Sequence, residues 1–222
     1  MGRTEPFQLA LDIGCGAGVS TKALNGFARS CIGLDPIEAM LKWTSTIAPF
    51  ARFVVGTAEA IPLRDHSVDL ITAAGSLNYV NLDLFFPEAA RVLMPDGVLV
   101  AYDFSPGRSF SDATSLDEWF SSFYSRYPPP ENEAQALSPA ILAEISSGFR
   151  VLCRQQFEVG ITLSPTFYLD YMMTETNVAA ALRSGAPRSE IKSWCAETLA
   201  PVWNGAEREV LFRGYFASMR VA

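Results

Sequence analysis

Leu9-Ala-Leu-Asp-Ile-Gly-Cys-Gly-Ala-Gly18 is the most informative segment of this 222-residue chain. An apolar run ends at Asp12 and leads into three glycines at alternate positions, and Val19-Ser-Thr-Lys-Ala-Leu24 follows with the composition of a helix start. Glycine adopts positive φ without a side-chain penalty and lets a ligand lie close to the backbone. Amide groups at a helix N-terminus favour a negative or polar group. The segment therefore predicts a strand, a ligand-binding turn and a helix.

The spacing of the glycines distinguishes between nucleotide ligands. The pattern is Asp-x-Gly-x-Gly-x-Gly, whereas turns that hold a dinucleotide pyrophosphate follow Gly-x-Gly-x-x-Gly. The Asp12 carboxylate would repel a pyrophosphate, but it can accept hydrogen bonds from an amine or hold a water molecule. The turn therefore indicates a nucleoside ligand without phosphates and disfavours a nicotinamide-dependent dehydrogenase.

Asp12-Ile-Gly-Cys-Gly-Ala-Gly18 resembles the first motif of the class I S-adenosylmethionine (SAM)-dependent methyltransferases. In that family the turn wraps the methionine part of SAM, and an acidic residue about twenty positions further on holds the ribose, as in other nucleoside-binding sheets. The resemblance implies SAM as the cofactor and S-adenosylhomocysteine as its product. It also implies that these residues belong to the cofactor site: Asp12, Gly14, Cys15, Gly16 and Gly18.

A second apolar strand, Ser30–Asp35, ends in an acid that Pro36 follows, and the resemblance implies that Asp35 and Pro36 both lie at the cofactor. Asp35 lies 17 residues beyond Gly18, where a strand beside the first would end, so its carboxylate can accept two hydrogen bonds from the ribose diol. Asp35 can also cap the next helix, with Pro36 in the first turn, and the two roles are compatible. Met40 lies one turn into that helix, where the family places a hydrophobic residue over the adenine, with core packing as the alternative.

Gly56-Thr-Ala-Glu-Ala-Ile-Pro-Leu63 resembles the family's Gly-Asp-Ala-Glu…Leu-Pro-Phe segment. Thr57 stands where the family has an Asp that accepts from the adenine amino group. A neutral acceptor makes a hydrogen bond that is weaker by about 1 kcal/mol than a charged one. The resemblance implies that Thr57, Ala58 and Glu59 belong to the adenine site. Because of Thr57, either the affinity for SAM is modest or the Ala58 backbone and Glu59 bind the adenine instead.

The fourth predicted strand, Val68–Ala74, leads into Gly75-Ser-Leu-Asn-Tyr-Val80. This loop leaves the carboxyl end of a strand next to the first one, which is the switch point where open α/β sheets bind ligands. We expect Ala74 and Gly75 at the cofactor. We expect Asn78 and Tyr79 on the path to the substrate, with ordinary packing as the alternative for Tyr79.

The family pattern also implies the architecture. Five successive segments between residues 8 and 104 match it in order. Glu209–Met219 is expected to insert antiparallel between the fifth predicted strand, Val98–Asp103, and the sixth, Phe149–Phe157. We predict an α/β fold, a doubly wound, Rossmann-like, seven-stranded and mostly parallel sheet of order 3-2-1-4-5-7-6, with helices on both faces. One domain would cover residues 1–222.

Two segments of the second half are candidates for a helical lid, residues 105–130 and 161–205. The first is rich in aromatic residues, and its alternative role is a peripheral helix that buries them in the core. Tyr124 and Tyr168 are the expected substrate contacts. The tail resembles the small-molecule branch related to trans-aconitate and ubiquinone/menaquinone-type methyltransferases.

The composition and net charge of the chain limit the classes of partner that we expect it to bind. The net charge is −7 and the 17 Lys and Arg residues form no basic run, which argues against nucleic acid. The four cysteines form no Cys-x-x-Cys pair, so no metal module is expected. No apolar run approaches the roughly 20 residues of a membrane span, and the N-terminus lacks a signal-peptide core. The expectation is a cytoplasmic protein without a membrane partner, of undetermined oligomeric state.

The predicted function is methyl transfer from SAM to a small molecule whose identity the sequence leaves open. The alternative is a SAM- or S-adenosylhomocysteine-binding regulatory or partner protein on the same fold. No residue stands out as a catalytic base. Tyr79, Asp103 and the lid tyrosines are the weak candidates, and the only histidine, His66, lies in a loop expected on the far side of the sheet.

Overall fold

The computed structural model describes residues 5–130, 134–145 and 147–222. Two compact units make up this part of the chain. The first unit holds residues 5–103, 134–145, 147–156 and 215–222, and the second holds residues 104–130 and 157–214.

The described residues form eight strands and nine α-helices. The strands are β1 (Phe7–Ile13), β2 (Ala28–Asp35), β3 (Arg52–Val55), β4 (Val68–Ala74), β5 (Leu93–Phe104), β6 (Ser109–Phe110), β7 (Phe149–Leu163) and β8 (Arg208–Val221). The helices are α1 (Val19–Ala23), α2 (Glu38–Leu41), α3 (Thr44–Ile47), α4 (Leu82–Val92), α5 (Asp117–Arg126), α6 (Pro139–Ile145), α7 (Pro165–Met172), α8 (Thr176–Arg183) and α9 (Arg188–Trp203). A 3-10 turn covers Leu77–Tyr79.

The strand order confirms the predicted α/β fold. Strands are hydrogen-bonded in the order β3-β2-β1-β4-β5-β8-β6, and β7 pairs with β8. The pairs β1/β2, β1/β4, β2/β3 and β4/β5 are all parallel. The terminal strand thus lies between the fifth strand and β7, as predicted. The additional strand is β6, whose two residues pair antiparallel with β8 and are too few to show a periodicity in the sequence.

The core of the first unit lies around β1 and β4. Both strands are buried over most of their length, as expected for central parallel strands that are covered on both faces and therefore consist of continuous apolar runs. Helix α4 contributes Phe85, Phe86, Ala89 and Val92 to this core. These residues recur at helical spacing, so one face of α4 is apolar, as the sequence predicts.

Several element boundaries differ from the sequence-based expectation. The sequence after Pro36 predicts one helix from Ile37 to about Thr46, whereas the structure has two short helices, α2 and α3. The Thr44 hydroxyl donates to the Leu41 carbonyl at 2.7 Å between them. A threonine hydroxyl that bonds to the backbone competes with the regular helical pattern. The sequence predicts that the first helix runs to about Phe27, but α1 ends at Ala23. β5 begins at Leu93, before the strand predicted from Val98. Helix α8 was not expected.

The second unit has an aromatic core of its own. The rings of Trp119 and Phe123 stack with centroids 4.8 Å apart, and Phe123 lies nearly parallel to Trp194 at 6.1 Å. Trp119, Phe120 and Phe123 are buried, as in the core-packing alternative for this segment. Both predicted lid segments lie within this unit. Their action as a lid, and the assignment of residues 1–222 to one domain, stay predictions.

Within residues 5–130, 134–145 and 147–222, no helix is both long and apolar enough to cross a bilayer.

The close packing beside Gly33 of β2 gives a stability prediction. A Cβ at this position would lie 2.6 Å from the Phe53 ring and 2.7 Å from the Cys15 sulfur. Gly33→Ala should therefore lower the free energy of unfolding by about 1–3 kcal/mol through overpacking, measured by urea denaturation. Ser30→Ala on an exposed position of the same strand is the control and should stay within about 0.5 kcal/mol of the original. Equal stability of the two variants would contradict the packing.

Candidate functional site

A cavity of about 450 Å³ opens at the carboxyl ends of β1, β2 and β4. All the residues that line it belong to the first unit. They are Ile13, Gly14, Leu34, Asp35, Pro36, Ile37, Gly56, Thr57, Ala58, Glu59, Ala74, Gly75, Ser76, Tyr79 and Val80. The sequence predicted eight of these as cofactor residues, and the structure brings those eight together from four separate segments.

The glycine turn after β1 is held against the loop after β4. Gly14 has φ +64°, and a Cβ there would lie 2.4 Å from the Ser76 Cβ. The Ser76 hydroxyl donates to the Ile13 carbonyl at 2.7 Å. Gly16 and Gly18 also have positive φ, +53° and +92°. Only glycine allows this backbone path and this approach at low cost.

Asp35 ties the glycine turn to the end of β2. Its Oδ2 accepts from the Gly16 amide and its Oδ1 from the Ile37 amide, each at 2.8 Å. Each carboxylate oxygen has about two lone-pair sites, so both oxygens can still accept from a ligand hydroxyl. The ribose role of Asp35 stays a prediction, and its second expected role, satisfying the backbone where the next helix begins, is present in the Ile37 contact.

Asp12 is turned away from the cavity. It is fully buried, and Ser20 and Thr21 donate to its Oδ2 at 2.6 Å while Thr72 donates to its Oδ1 at 2.9 Å. Burial raises the pKa of this carboxyl, and the three hydroxyl donors oppose that shift. Its position gives no support to the predicted direct contact with the cofactor, because its bonded partners are all hydroxyls of the protein itself.

Besides Asp12, four predicted cofactor residues lie outside the cavity lining: Cys15, Gly16, Gly18 and Met40. Burial, with the nearby carboxylates of Asp12 and Asp35, raises the pKa of the Cys15 thiol to about 12, so this cysteine is an inert packing residue. Gly18 begins helix α1. The Met40 methyl lies 3.6 Å from where a Cβ of Gly16 would stand, beside the turn rather than in the cavity.

The segment after β3 contributes Thr57, Ala58 and Glu59 to the lining. Glu59 Oε1 accepts from the Asn81 amide at 2.8 Å, just before helix α4. This bond links the two loops, and it leaves the second Glu59 oxygen for other partners.

Sequence reasoning missed several lining residues. Ile37 follows Asp35-Pro36 directly, and it lies on the cavity where Met40 was expected to act. The feature of the sequence that could have indicated Ile37 is its position as an apolar residue directly after the acid and the proline at the end of β2. The others are backbone-proximal residues of the strand ends and loops, which only the folded arrangement brings to the cavity: Ile13, Leu34, Gly56, Ser76 and Val80.

The predicted substrate residues fall in different places. Tyr79 lines the cavity and is more than half exposed, whereas Asn78 is not part of the lining. Tyr124 and Tyr168 belong to the second unit. Arg108 donates to the Tyr124 hydroxyl at 3.2 Å, and burial raises the pKa of that hydroxyl. Tyr168 is 0% exposed and donates to the Gly107 carbonyl at 2.5 Å, so this residue belongs to the core and offers no surface to a substrate.

The candidates for a catalytic base in the first unit differ in their distance from the cavity. His66 Nδ1 lies 2.9 Å from the Leu93 carbonyl, just before the amino end of β4, whereas the cavity is at the carboxyl end. Asp103 Oδ1 lies 2.9 Å from where a Cβ of Gly75 would stand. Of these candidates in the first unit, Tyr79 lines the cavity. Asp103 lies behind Gly75, which is a lining residue, and His66 is remote from the cavity.

Gln135 holds the loop after β4 from the side. Its backbone amide donates to the Asn78 carbonyl at 2.8 Å. Its side-chain amide donates to the carbonyls of Leu77 at 3.2 Å and Val80 at 2.9 Å. Since Tyr79 and Val80 line the cavity, Gln135 positions part of its wall. Nothing in the local sequence around Gln135 signals this role.

Comparison with known proteins agrees with this geometry. Residues 11–101 match the family described as a methyltransferase domain. An uncharacterised methyltransferase of Mycobacterium tuberculosis is 39% identical over 89 residues, which cover 40% of this chain and 37% of that protein. A demethylmenaquinone methyltransferase of Renibacterium salmoninarum is 34% identical over 101 residues, covering 45% of this chain and 43% of that protein.

A solved structure from Anaeromyxobacter dehalogenans, assigned as a type II methyltransferase, superimposes with a TM-score of 0.70. It is 26% identical and covers 96% of this chain and 88% of its own. The alignments to the two relatives above span less than half of either protein's length. Residues 11–101 therefore carry a methyltransferase domain of the class I SAM-dependent kind, and the resemblance predicted from the sequence is confirmed for that part of the chain.

The Gln135 contacts give a prediction for the loop after β4. Gln135→Ala should increase hydrogen exchange of the amides of residues 77–81 by about fivefold or more, because an opening cost of about 1 kcal/mol per hydrogen bond is lost. Gln8→Ala, on an exposed residue of β1, is the control and should leave that exchange unchanged. Unchanged exchange in Gln135→Ala would show that the side-chain contacts do not hold the loop.

Proposed function

We propose that this chain transfers a methyl group from SAM to a small-molecule acceptor. The observation that carries the proposal is the charge of the cavity. Among the described residues that line it, Asp35 and Glu59 are acidic and none is basic. A phosphate-bearing nucleotide needs cations or a helix N-terminus to offset its charge. SAM carries no phosphate, and its positive sulfonium and amino groups outweigh its single carboxylate, so a cavity with two acidic residues and no basic one suits its overall charge.

The lining also fits SAM in size and in its polar groups. A volume of about 450 Å³ falls in the range of small-molecule and cofactor sites. In the proposed arrangement the turn at Gly14 and Gly16 holds the methionine part, and Asp35 accepts from the ribose diol. Ile37 covers the adenine, and Thr57, Ala58 and Glu59 contact its edge.

The chain's own contribution to the reaction is binding and alignment. When bound, SAM supplies an electrophilic methyl group that a nucleophile displaces in line. Holding two reactants in line can contribute about 7–11 kcal/mol without a catalytic side chain. Tyr79 on the cavity and Asp103 beside Gly75 are the residues placed to orient the acceptor or to accept its proton. Asn78 and Tyr124 stay proposed acceptor contacts.

A small molecule is the proposed acceptor class. The resemblance to demethylmenaquinone methyltransferase supports it, as does the net charge of −7, which is unfavourable for a polyanionic nucleic acid. We also propose a cytoplasmic location, because Cys15, Cys31, Cys153 and Cys195 are all free and reduced thiols are typical of that compartment.

The first experiment is calorimetric titration of the protein with SAM, S-adenosylhomocysteine and NADH. Binding of the first two at micromolar concentrations and not of NADH supports the proposal. Release of S-adenosylhomocysteine in a screen of quinol, phenol and carboxylic acid acceptors would then separate an enzyme from a SAM-binding regulatory protein. Absence of SAM binding by the folded protein would refute the proposed function.

The contacts of Asp35 predict a loss of affinity in Asp35→Ala. The dissociation constant for S-adenosylhomocysteine should rise more than about tenfold, because two charge-assisted bonds to the ribose are lost. Asp35→Asn, which keeps one acceptor oxygen, should have an intermediate effect. Asp65→Ala is the control, since Asp65 pairs with Arg91 on the surface. An unchanged dissociation constant in folded Asp35→Ala would rule out the ribose contact.

An acidic residue in place of Thr57 should raise the affinity for SAM. Thr57→Asp should tighten SAM binding by about tenfold, because a carboxylate forms a stronger hydrogen bond with the adenine amino group than a hydroxyl does. Thr46→Asp adds the same charge on an exposed position of α3 and should change the affinity little. A weaker complex for Thr57→Asp would show that this side chain does not face the adenine.

A further inference from the structure

Strand β7 has one strand neighbour within the described part of the chain. It runs over 15 residues, Phe149–Leu163, and pairs only with β8 there. Most of its residues are exposed, including Leu152 at 42%, Val159 at 45% and Ile161 at 44%. An edge strand presents a row of unpaired backbone N–H and C=O groups, and natural proteins shorten such edges, bend them or interrupt them with proline. β7 is long and contains no proline, so its edge is open to pairing.

The sequence of β7 is complementary to itself when it is reversed about Gln156. Gln156 is the central residue of Phe149–Leu163. On the side that includes the partly buried Phe149 and Val151, the reversal places Phe149 opposite Leu163 and Val151 opposite Ile161. It also places Cys153 opposite Val159. Residues directly opposite in an antiparallel pair share a face of the sheet, so apolar residues meet across the two copies on this side, except that Gln155 lies opposite Phe157.

The other face of β7 is complementary in charge. The same reversal sets Arg154 opposite Glu158 twice, once on each side of the two-fold axis. Both side chains are exposed, and Glu158 also accepts from Arg213 Nε at 2.8 Å. A carboxylate has about four acceptor sites, so it can bind Arg154 of a second copy as well.

The charges also select the register. A shift that sets Arg154 opposite Arg154 repels, as does one that sets Glu158 opposite Glu158. The intermediate shifts place these residues opposite uncharged ones: Glu158 then meets Leu152 or Gln156, and Arg154 meets Gln156 or Gly160. The shift that sets Arg154 opposite Arg154 also sets Arg150 opposite Glu158, but it keeps a like pair on the axis and leaves one end of the strand unpaired. The register centred on Gln156 is the one that pairs opposite charges without a like pair, and like charges directly opposite destabilise a sheet. The full length of the strand is used in that register.

We propose that β7 is an interface between two copies of this chain, which join antiparallel about a two-fold axis at Gln156. The two copies bury the same strand against each other, the isologous arrangement that is commonest among homodimers. The sheet of one copy then continues into the sheet of the other. This proposal is independent of the methyl-transfer reaction, because no residue of β7 lines the cavity.

Charge reversal tests the pairing with the full chain. The wild-type protein should sediment as a dimer, at twice the 24.2 kDa of one chain. Arg154→Glu alone and Glu158→Arg alone should each weaken the dimer by about tenfold, since each creates two like-charge pairs across the axis. Mixing the two variants should restore a heterodimer, in which every opposed pair again has opposite charges. Arg150→Glu, which faces Thr162, is the control and should not weaken the dimer.

A disulfide tests the register directly. In a Cys153→Ser background, Gln156→Cys should form a cross-linked dimer on mild oxidation, because two residues directly opposite in an antiparallel pair have Cα atoms about 4.5–5.5 Å apart. Wild-type Cys153 lies opposite Val159 and should not cross-link to its counterpart.

The outcomes that would overturn the proposal are distinct from a failure to fold. One is a wild-type protein that stays monomeric in sedimentation up to its solubility limit. Another is a mixture of the two charge variants that associates no better than either alone. A third is a dimer in which Cys153, but not Gln156→Cys, forms the cross-link. Circular dichroism of each variant checks that the chain is folded.

Discussion

The buried carboxylate of Asp12 fixes the elements around which the first unit is arranged. It accepts hydrogen bonds from Ser20 and Thr21 at the start of α1 and from Thr72 in β4. A buried carboxylate without partners is costly, whereas one with three donors is a rigid junction. These hydrogen bonds fix the relative positions of β1, β4 and α1, and they therefore fix both ends of the glycine turn between β1 and α1. Asp35 then fastens the middle of that turn to the end of β2.

The cavity follows from these two carboxylates and the parallel sheet. Parallel strands bring their carboxyl ends to one edge, and at the switch between β1 and β4 the loops diverge and leave room for a ligand. The Asp12 carboxylate accepts hydrogen bonds from buried hydroxyls of the protein itself. Asp35 lines the cavity together with Glu59, and no basic residue is part of that lining. The two acids at the ends of β1 and β2 look alike in sequence, yet one builds the scaffold and the other is available to a ligand.

The loop after β4 shows how the wall of the cavity is assembled from distant parts of the chain. Ser76 bonds to the end of β1, Glu59 to the residue before α4, and Gln135 to three carbonyls of the loop. Each bond is modest, of about 1 kcal/mol, but together they restrict a segment that contains no regular strand or long helix. A loop restrained in this way can present Tyr79 in one orientation, as alignment of an acceptor requires.

The class of fold, the strand order and eight of the cavity residues followed from the resemblance of the sequence to a methyltransferase family. That resemblance rests on local patterns: apolar runs that end in acids, glycines at alternate positions and a strand–loop transition at Ala74-Gly75. It could not separate Asp12 from Asp35, because the Thr72 hydroxyl that bonds to Asp12 is 60 positions away. It predicted Met40 at the adenine, whereas Ile37, three residues earlier, lines the cavity. Tyr168 was expected at a substrate and is core, and Gln135 was not expected at all. Burial and long-range hydrogen bonds arise only when separate segments pack together, so the tertiary structure alone assigned these residues.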